Sequence, residues 1–185
     1  STPRHAFAPA GHVTDAYADR LIPIPCGQVM EAPTVLATVL ANSDLSKNST
    51  VLEIGTGSGY LTALLSKLSR RVISLERYRT LAEMARANLA SFGAQTAEVI
   101  LTDGSSGWPP ASPFRTIVST ASVERPPESW LDQLERGGTL IVPLGPAAQP
   151  QTWSCFIKDM DDTISFKPLS TTFAAPLQVG LARAL

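Results

Sequence analysis

The sequence has 185 residues, of which 44% are hydrophobic and 17% are charged, and its formal net charge at pH 7 is -1. This composition excludes a disordered chain, and the length is that of one domain, so we expect a single monomeric unit. The sequence has no basic block, no apolar run of about 18 residues and no signal-peptide pattern, so we expect a cytoplasmic protein without a nucleic-acid or membrane partner.

The amino-terminal part, up to Glu31, is predicted to be irregular, because prolines and glycines interrupt any long helix there. From Pro33 onward, apolar residues at helical spacing follow a helix-starting proline, which predicts a helix ending near Asn42. We assign residues 1–45 to a segment that binds the acceptor or covers the site, and residues 46–185 to the core.

Strands and helices then alternate along the chain. Short apolar runs predict strands over 51–54, 71–76, 98–102, 116–120 and 139–144. Helical patterns lie between them, over 60–68, 80–92 and 128–134. This order predicts an α/β, Rossmann-like, doubly wound and mostly parallel sheet with helices on both faces. Residues 152–158 and 163–166 predict an antiparallel hairpin at the sheet edge.

The two cysteines, Cys26 and Cys155, stand far apart, and neither has a CxxC partner or histidines at metal-ligand spacing. We therefore expect two free thiols and no metal site. His5 and His12 are expected to take surface or capping roles.

The segment EIGTGSGYL, residues 53–61, places three glycines where the first core strand gives way to a helix. Glycines at such a turn let the main chain approach a ligand closely. A dinucleotide fingerprint requires a further small residue where Tyr60 stands, so pyrophosphate is disfavoured. The pattern, preceded by Glu53, resembles motif I of S-adenosylmethionine-dependent methyltransferases, whose cofactor is cationic and suits a nearby carboxylate.

Two further acidic positions fit the same cofactor. Glu76 closes the second strand, about 20 residues after Glu53, where doubly wound folds place the acid that binds ribose hydroxyls. Asp103 and Gly104 follow the next strand, where an acid can bind the adenine amino group and a glycine allows the ring to approach. Alone, Asp-Gly indicates only a turn.

Several segments together resemble the protein-L-isoaspartate O-methyltransferase family. The matching stretches are PRHAFAP, AYADRLIPI, GQVMEAP, VLEIGTGSGYLTALLSKL, VISLER, DGSSGWP, a strand ending in TAS, and LERGGTLIVPLG, with FKPL near the tail. They run from Pro3 to Gly145, and the segments ahead of the glycine turn are more specific to the family than the glycines are. The resemblance implies methylation of isoaspartyl carboxyl groups in damaged proteins, and a seven-stranded sheet whose last strand is antiparallel.

The resemblance also implies the site. S-adenosylmethionine, which leaves as S-adenosylhomocysteine, would be bound by Glu53, Gly55, Thr56, Gly57, Ser58, Gly59, Glu76, Arg77, Asp103, Gly104, Thr120 and Ala121. Gln28, Glu31 and Thr120 are the candidate catalytic residues facing the methyl group and the acceptor, with backbone donors expected around Thr120 and Ala121. The implied partner is a protein or peptide that contains isoaspartate.

One departure from the family pattern concerns the acceptor. Family members commonly read Thr-Ile-Ser where this chain reads Val29-Met30-Glu31, and the serine is placed to meet the substrate carboxylate. Two like charges about 4 Å apart repel by about 4 kcal/mol at an effective dielectric constant near 20, equivalent to about a thousandfold in rate or affinity. Glu31 therefore points into solvent, pairs with a cation such as Arg4 or Arg115, or is protonated.

Alternatively, the acceptor is not a carboxylate. Glu31 would then act as a general base for an amine or hydroxyl, which must lose a proton when it is methylated. The sequence thus leaves three functions open: an isoaspartyl methyltransferase, a methyltransferase of the same lineage with another acceptor, including a small molecule, and a non-catalytic cofactor-binding module.

Overall fold

A computed structural model describes residues 2–182 and contains the predicted seven-stranded sheet. Its spatial order is β5-β4-β3-β6-β7-β8-β9. The strands are β3 (Thr50–Ile54), β4 (Arg71–Glu76), β5 (Ala97–Leu101), β6 (Phe114–Ser119), β7 (Leu134–Leu144), β8 (Gln151–Lys158) and β9 (Ile164–Thr172). The fold class predicted from the alternation is confirmed.

Strand direction differs in one detail from the expectation. The strands β3 to β7 pair in parallel, and β8 pairs antiparallel with both β7 and β9. The predicted edge hairpin is therefore confirmed. The strand that opposes the parallel set is β8, however, because the hairpin turn returns the final strand β9 to the common direction.

Helices cover both faces of the sheet, as predicted. They are α1 (Pro33–Asn42), α2 (Tyr60–Leu68), α3 (Arg79–Phe92) and α4 (Glu128–Asp132). Neighbouring side chains of β3 enter different layers: Val51 packs in a cluster with residues of α1 and α2, and Leu52 packs in a cluster with Trp130 of α4. All three side chains are fully buried. A strand covered on both faces reads as a continuous apolar run, which is why β3 was predictable.

Strand β7 begins earlier than predicted. The predicted helix over 128–134 ends at Asp132, since Leu134 already pairs with Phe114 of β6. The register between β6 and β7 shifts after this pair. Gly138 lies in the shifted region, where an added Cβ would stand 2.7 Å from the carbonyl oxygen of Glu135. The pair Gly137-Gly138, which in the sequence suggests the end of a strand, thus lies at an irregularity within β7.

The amino-terminal segment is more ordered than predicted. The strands β1 (Ile22–Ile24) and β2 (Gln28–Met30) form a small antiparallel hairpin. Two short 3-10 helices, Arg4–Phe7 and Ala10–His12, precede it. The prediction of an irregular segment is therefore wrong here, because strands of three residues, one of them containing Pro23, leave no periodic pattern.

Residues 173–182, which we call the closing segment, return from the edge strand β9 across the carboxyl ends of the parallel strands. Pro176 forms an isolated parallel bridge with Ser122, and the Gly180 N–H donates to a carboxylate oxygen of Asp103 at 2.7 Å. Nothing in the sequence analysis predicted this path.

Among the described helices, none combines the length and the apolar character needed to cross a membrane.

Candidate cofactor and acceptor site

A pocket opens at the carboxyl ends of β3, β4 and β6, which is where ligands bind in open α/β sheets. Its lining includes most of the positions that the sequence analysis singled out: Gln28, Val29, Met30, Glu31, Glu53, Gly55, Thr56, Gly57, Ser58, Glu76, Arg77, Gly104, Thr120 and Ala121. Gly59 and Asp103 are the two predicted binding residues that do not line it. The residues predicted from five separate segments of the sequence therefore lie together in one site.

The glycine turn serves two different purposes. Gly55 has a φ of +92°, and an added Cβ would stand 2.5 Å from the Thr120 hydroxyl oxygen, so a side chain is excluded on two grounds. Gly59 has a φ of +83°, and its added Cβ would approach Ala85 of α3 at 3.3 Å. Gly55 therefore shapes the pocket, whereas Gly59 lets helix α3 pack closely against the turn.

Glu53 is a fully buried carboxyl group in the pocket wall. Its Oε2 accepts hydrogen bonds from the hydroxyls of Ser74, at 2.6 Å, and Thr62. Its Oε1 is buried and has no hydrogen-bond partner. Burial raises the pKa of Glu53 to about 7, against the opposing effect of the Ser74 and Thr62 hydrogen bonds. The free oxygen is an unused acceptor at the pocket.

Glu76 is tied to the main chain on both oxygens. Its Oε2 accepts the Gly57 N–H at 2.9 Å, and its Oε1 accepts the N–H groups of Arg77, at 2.8 Å, and Tyr78, at 3.0 Å. Burial raises the pKa of Glu76, and these backbone hydrogen bonds oppose the rise. The carboxylate therefore joins the glycine turn to the end of β4 and is held in a fixed position.

Asp103 binds the closing segment. Its Oδ1 accepts the Ser105 N–H at 2.8 Å, and its Oδ2 accepts the Gly180 N–H at 2.7 Å. Arg77 holds the same segment through the Gly180 carbonyl, at 3.0 Å, and the Gln178 side-chain oxygen, at 2.7 Å. Ala175, Pro176, Leu177 and Gln178 line the pocket as a result. The sequence analysis missed these four residues, since no motif or periodicity distinguishes them.

The turn and the β1-β2 hairpin meet at the pocket. Ser58 donates a hydrogen bond to the Met30 sulfur at 3.3 Å, and the Thr56 hydroxyl lies 2.5 Å from that of Ser74. An added Cβ at Gly57 would stand 3.3 Å from Ile24 of β1, and one at Gly104 would stand 2.7 Å from Ile54. The hairpin is thus packed directly against the glycine turn.

Two candidate catalytic residues, Gln28 and Glu31, lie at strand β2 of the hairpin, and the third, Thr120, directly follows β6. Gln28 donates its side-chain N–H to the Cys26 carbonyl at 3.2 Å, and the Thr120 hydroxyl donates to the Gly55 carbonyl at 3.0 Å. The Thr120 N–H donates to Ile54 and the Ala121 N–H donates to the Ser119 hydroxyl. These two amides already have acceptors, which does not fit the expectation that they donate to a ligand.

Glu31 ends the hairpin at the pocket and is 6% exposed. The buried Arg4 donates to the main-chain carbonyl of Glu31 at 2.5 Å, not to its carboxylate. Arg115, the other cation considered for Glu31, pairs instead with Asp44 and Glu135. Within residues 2–182, no group of three or more His, Cys, Asp or Glu side chains is placed to hold a metal ion.

Comparisons with known proteins agree on one family. The family model described as protein-L-isoaspartate(D-aspartate) O-methyltransferase matches residues 1–181. A protein-L-isoaspartate O-methyltransferase of Rhodopseudomonas palustris (strain BisB18) is 42% identical over 183 residues, which are 99% of this chain and 84% of that protein.

Two solved structures are similar in fold. One, a protein-L-isoaspartate O-methyltransferase, has a TM-score of 0.84 at 27% identity, over 96% of this chain and 59% of that one. The other, from Plasmodium falciparum, is described as a putative protein-L-isoaspartate O-methyltransferase in complex with S-adenosyl-L-homocysteine. Its TM-score is 0.81 at 22% identity, over 95% of this chain and 85% of that one.

Proposed function

This chain belongs to the protein-L-isoaspartate(D-aspartate) O-methyltransferase family, and we propose that it methylates the free carboxyl group of L-isoaspartyl residues in damaged proteins, with S-adenosylmethionine as the methyl donor. The observation that carries this proposal is the match to the family model over residues 1–181. The pocket supports it independently through its charge.

The residues of the pocket fit a cationic cofactor. Among the described lining residues, three carboxyl groups, those of Glu31, Glu53 and Glu76, stand against the single guanidinium of Arg77. S-adenosylmethionine supplies an activated methyl group on a sulfonium and also carries an ammonium group. The unpartnered Oε1 of Glu53 is a buried acceptor suited to a cation, whereas the carboxylates of Glu53 and Glu76 would repel a phosphate.

Glu76 and the turn glycines would hold the ribose. The two oxygens of Glu76 are oriented by backbone N–H groups, so the remaining lone pairs are available to sugar hydroxyls. At Gly57 and Gly104 an added Cβ would meet Ile24 and Ile54, so these glycines let the main chain around the ribose pack closely. The carboxylate of Asp103 accepts the N–H groups of Ser105 and Gly180. It would therefore contribute to adenine binding indirectly, by holding the closing segment in place as one wall of the adenine site.

The chain's own contribution to the reaction is positioning. A carboxylate is already an anion, so its methylation requires no base, and aligning the two reactants can supply about 7–11 kcal/mol. Gln28 of β2, Glu31 directly after it and Thr120 directly after β6 would form the acceptor side.

We extend the proposal to the organisation and setting of the chain. Residues 1–45 would form the acceptor side and residues 46–185 the cofactor-binding core. The acceptor would be an isoaspartyl protein or peptide, and the enzyme would act as a cytoplasmic monomer. Cytoplasmic location is supported by Cys26 and Cys155, which are both free thiols.

A second candidate function has a specific observation in its favour. Glu31, a buried carboxyl group, stands on the acceptor side, and a carboxylate there suits an acceptor that must lose a proton. The alternative is therefore a methyltransferase of the same lineage acting on an amine or hydroxyl.

The test uses S-adenosylmethionine with a radiolabelled methyl group, an isoaspartyl peptide, and the same peptide with ordinary aspartate as control. We expect label only in the isoaspartyl peptide, as a base-labile ester. Calorimetry with S-adenosylhomocysteine runs in parallel. Cofactor binding without incorporation would exclude the proposed acceptor and favour the second candidate or a non-catalytic module. No cofactor binding would exclude all three.

A further inference from the structure

Glu31 is the carboxyl group that the proposed reaction leaves unexplained. It follows directly on strand β2, lies in the pocket wall and is 6% exposed, so it does not point into solvent. Its Oε2 is buried and has no hydrogen-bond partner among the described residues. A buried, unused polar oxygen on the wall of a pocket is a group placed to meet a ligand.

No cation of the described residues forms an ion pair with this carboxyl group. Within residues 2–182, no Lys, Arg or His nitrogen lies within 4.0 Å of a Glu31 carboxylate oxygen. Arg4, the nearest candidate, donates to the main-chain carbonyls of Ala16, at 2.6 Å, and Glu31, at 2.5 Å. The remaining arrangement for a buried acid is the neutral form.

Burial of Glu31 outweighs the groups around it that favour ionisation. The amino-terminal 3-10 helix contributes the Arg4 guanidinium, helix α2 contributes the Tyr60 phenol, and the sheet contributes Glu53 and Glu76 in the same pocket. Asp19, which is near Arg4, is bound by Thr34. Burial raises the pKa of Glu31 to about 7, although a backbone hydrogen bond from Ala32 and the charge of Arg4 oppose the rise.

An anionic acceptor would meet a wall without a free cation. Arg77 is the one guanidinium or ammonium in the described lining, and it is bound to Gly180 and Gln178 of the closing segment. An ionised Glu31 about 4 Å from an acceptor carboxylate would weaken binding by about a thousandfold. A neutral carboxyl group at the same place is instead a hydrogen-bond donor to that carboxylate.

We propose that neutral Glu31 donates a hydrogen bond to the isoaspartyl carboxylate, so that the enzyme takes up one proton with each acceptor it binds above neutral pH. This inference rests on the proposed function. The proton stays on Glu31: one acceptor oxygen forms the new bond to the methyl carbon as the carbon-sulfur bond breaks, and the other oxygen accepts the hydrogen bond. The products are a neutral ester and a neutral thioether, so charge balances without a base.

Two kinetic consequences follow. In the free enzyme Glu31 ionises as pH rises through about 7, so kcat/KM should fall about tenfold for each pH unit above it. The bound acceptor favours the protonated form, so kcat should change much less than KM. A general base at Glu31 would produce the opposite slope, with activity rising as pH rises.

The direct test is calorimetry of a synthetic isoaspartyl peptide binding to the enzyme saturated with S-adenosylhomocysteine. Titrations in buffers of different ionisation enthalpy measure proton uptake. We expect about one proton per peptide at pH 8.5 and close to none at pH 5.5. Glu31→Ser should abolish the uptake. Glu98→Gln is the matched control, because it removes an exposed carboxylate that is paired with Arg71 away from the pocket, and it should retain the uptake.

A second variant tests whether loss of proton uptake in Glu31→Ser could result from misfolding. Glu31→Gln keeps the shape and a donor but cannot ionise, so its kcat/KM for the peptide should no longer fall between pH 6 and 8.5. Retained affinity for S-adenosylhomocysteine confirms the fold of each variant. Peptide binding without proton uptake, or a pH dependence that survives in both variants, overturns the inference and leaves the proposed function intact. No methylation by wild type and variants at any pH overturns the proposed function itself.

Discussion

The two ends of the pocket, which we propose to bind the ribose and the acceptor, hold a buried acid in opposite ways. At the ribose end, Glu76 receives three backbone N–H groups, so both of its oxygens are bound before any ligand arrives. At the acceptor end, Glu31 is buried without a cation, and one of its oxygens has no partner. The first arrangement is preorganised, and the second remains incomplete until a ligand binds.

This difference shows that burial alone does not determine whether a carboxyl group holds a proton. The pKa of both carboxyl groups is raised by burial, but at Glu76 the hydrogen bonds from Tyr78, Gly57 and Arg77 restrain the rise. A raised pKa therefore indicates that a buried carboxyl group is protonated only where few N–H groups donate hydrogen bonds to it. The predictions below test whether the ribose end is fixed by the fold and whether the acceptor end is free to respond to pH.

The largest effect is expected from Gly55→Ala, which places a Cβ 2.5 Å from the Thr120 hydroxyl oxygen at a φ of +92°. Strain and overlap together should lower the free energy of unfolding by about 4 kcal/mol and abolish measurable S-adenosylhomocysteine binding. Gly93→Ala is the matched control, since Gly93 has a φ of +74° but nothing within 4 Å of its added Cβ. It should cost about 1 kcal/mol and leave binding intact. Equal losses in both variants would contradict a role for the Thr120 contact.

The next effect concerns Glu76→Ala, which removes the acceptor of three buried N–H groups. At about 1 kcal/mol or more for each unpaired donor, the free energy of unfolding should fall by about 3 kcal/mol, and S-adenosylhomocysteine affinity by about a hundredfold. Chemical denaturation and calorimetry measure the two quantities. Unchanged affinity in a folded variant would move the ribose site elsewhere.

A smaller and opposite effect is expected from Glu53→Gln. Because the fold raises the pKa of Glu53 to about 7 from an ordinary value of 4.5, the stability it contributes is complete below about pH 4.5 and is lost as pH rises through about 7. At pH 8 the variant should be more stable by about 2 kcal/mol, since the amide avoids the buried charge, with no gain near pH 4. Thermal unfolding at both pH values measures this. A gain of the same size at pH 4 would show that charge is not its cause.

The same carboxyl group should link pH to cofactor binding. Cation binding requires the ionised form, so the wild-type affinity for S-adenosylhomocysteine should fall about tenfold per unit below pH 7, and Glu53→Gln should flatten this slope. An unchanged slope in the variant would assign the ammonium to another acceptor.

The smallest effect belongs to Arg115→Ala, outside both ends of the pocket. Arg115 pairs with Asp44 and Glu135 at the surface, so its loss should change the free energy of unfolding by less than about 1 kcal/mol. The pH dependence of kcat/KM for an isoaspartyl peptide should not change. An altered dependence would indicate that Arg115, not burial, controls the state of Glu31.

The two ends of the pocket also differ in how far sequence predicted them. The apolar run before Gly55 and the acid that closes β4 obey local rules, so the strands, the turn and the position of Glu76 were predictable. The hairpin Ile22–Ile24 with Gln28–Met30 was not, because its strands are short and gain their stability from packing on α3. The resemblance predicted that Glu31 faces the acceptor. Whether its carboxyl group is exposed to solvent, paired with a cation or buried in the neutral form depends on tertiary contacts, which the sequence does not show.

Asp103 shows a further limit of sequence reasoning. Its position after β5 suggests a direct ligand, yet its two oxygens accept the N–H groups of Ser105 and Gly180. Gly180 is 77 positions further along the chain, and contacts of this separation leave no local pattern. Gly59 is similar, because the same motif that exposes Gly55 to the pocket uses Gly59 against helix α3.

The route of the closing segment bears on how the protein matures during synthesis. A nascent chain that has left the ribosome as far as Thr172 already contains every strand of the central sheet. It still lacks residues 175–178, which form one wall of the pocket, and Gly180, which ties that wall to Asp103 and Arg77. Synthesis from the amino to the carboxyl end therefore completes this wall of the pocket after the central sheet.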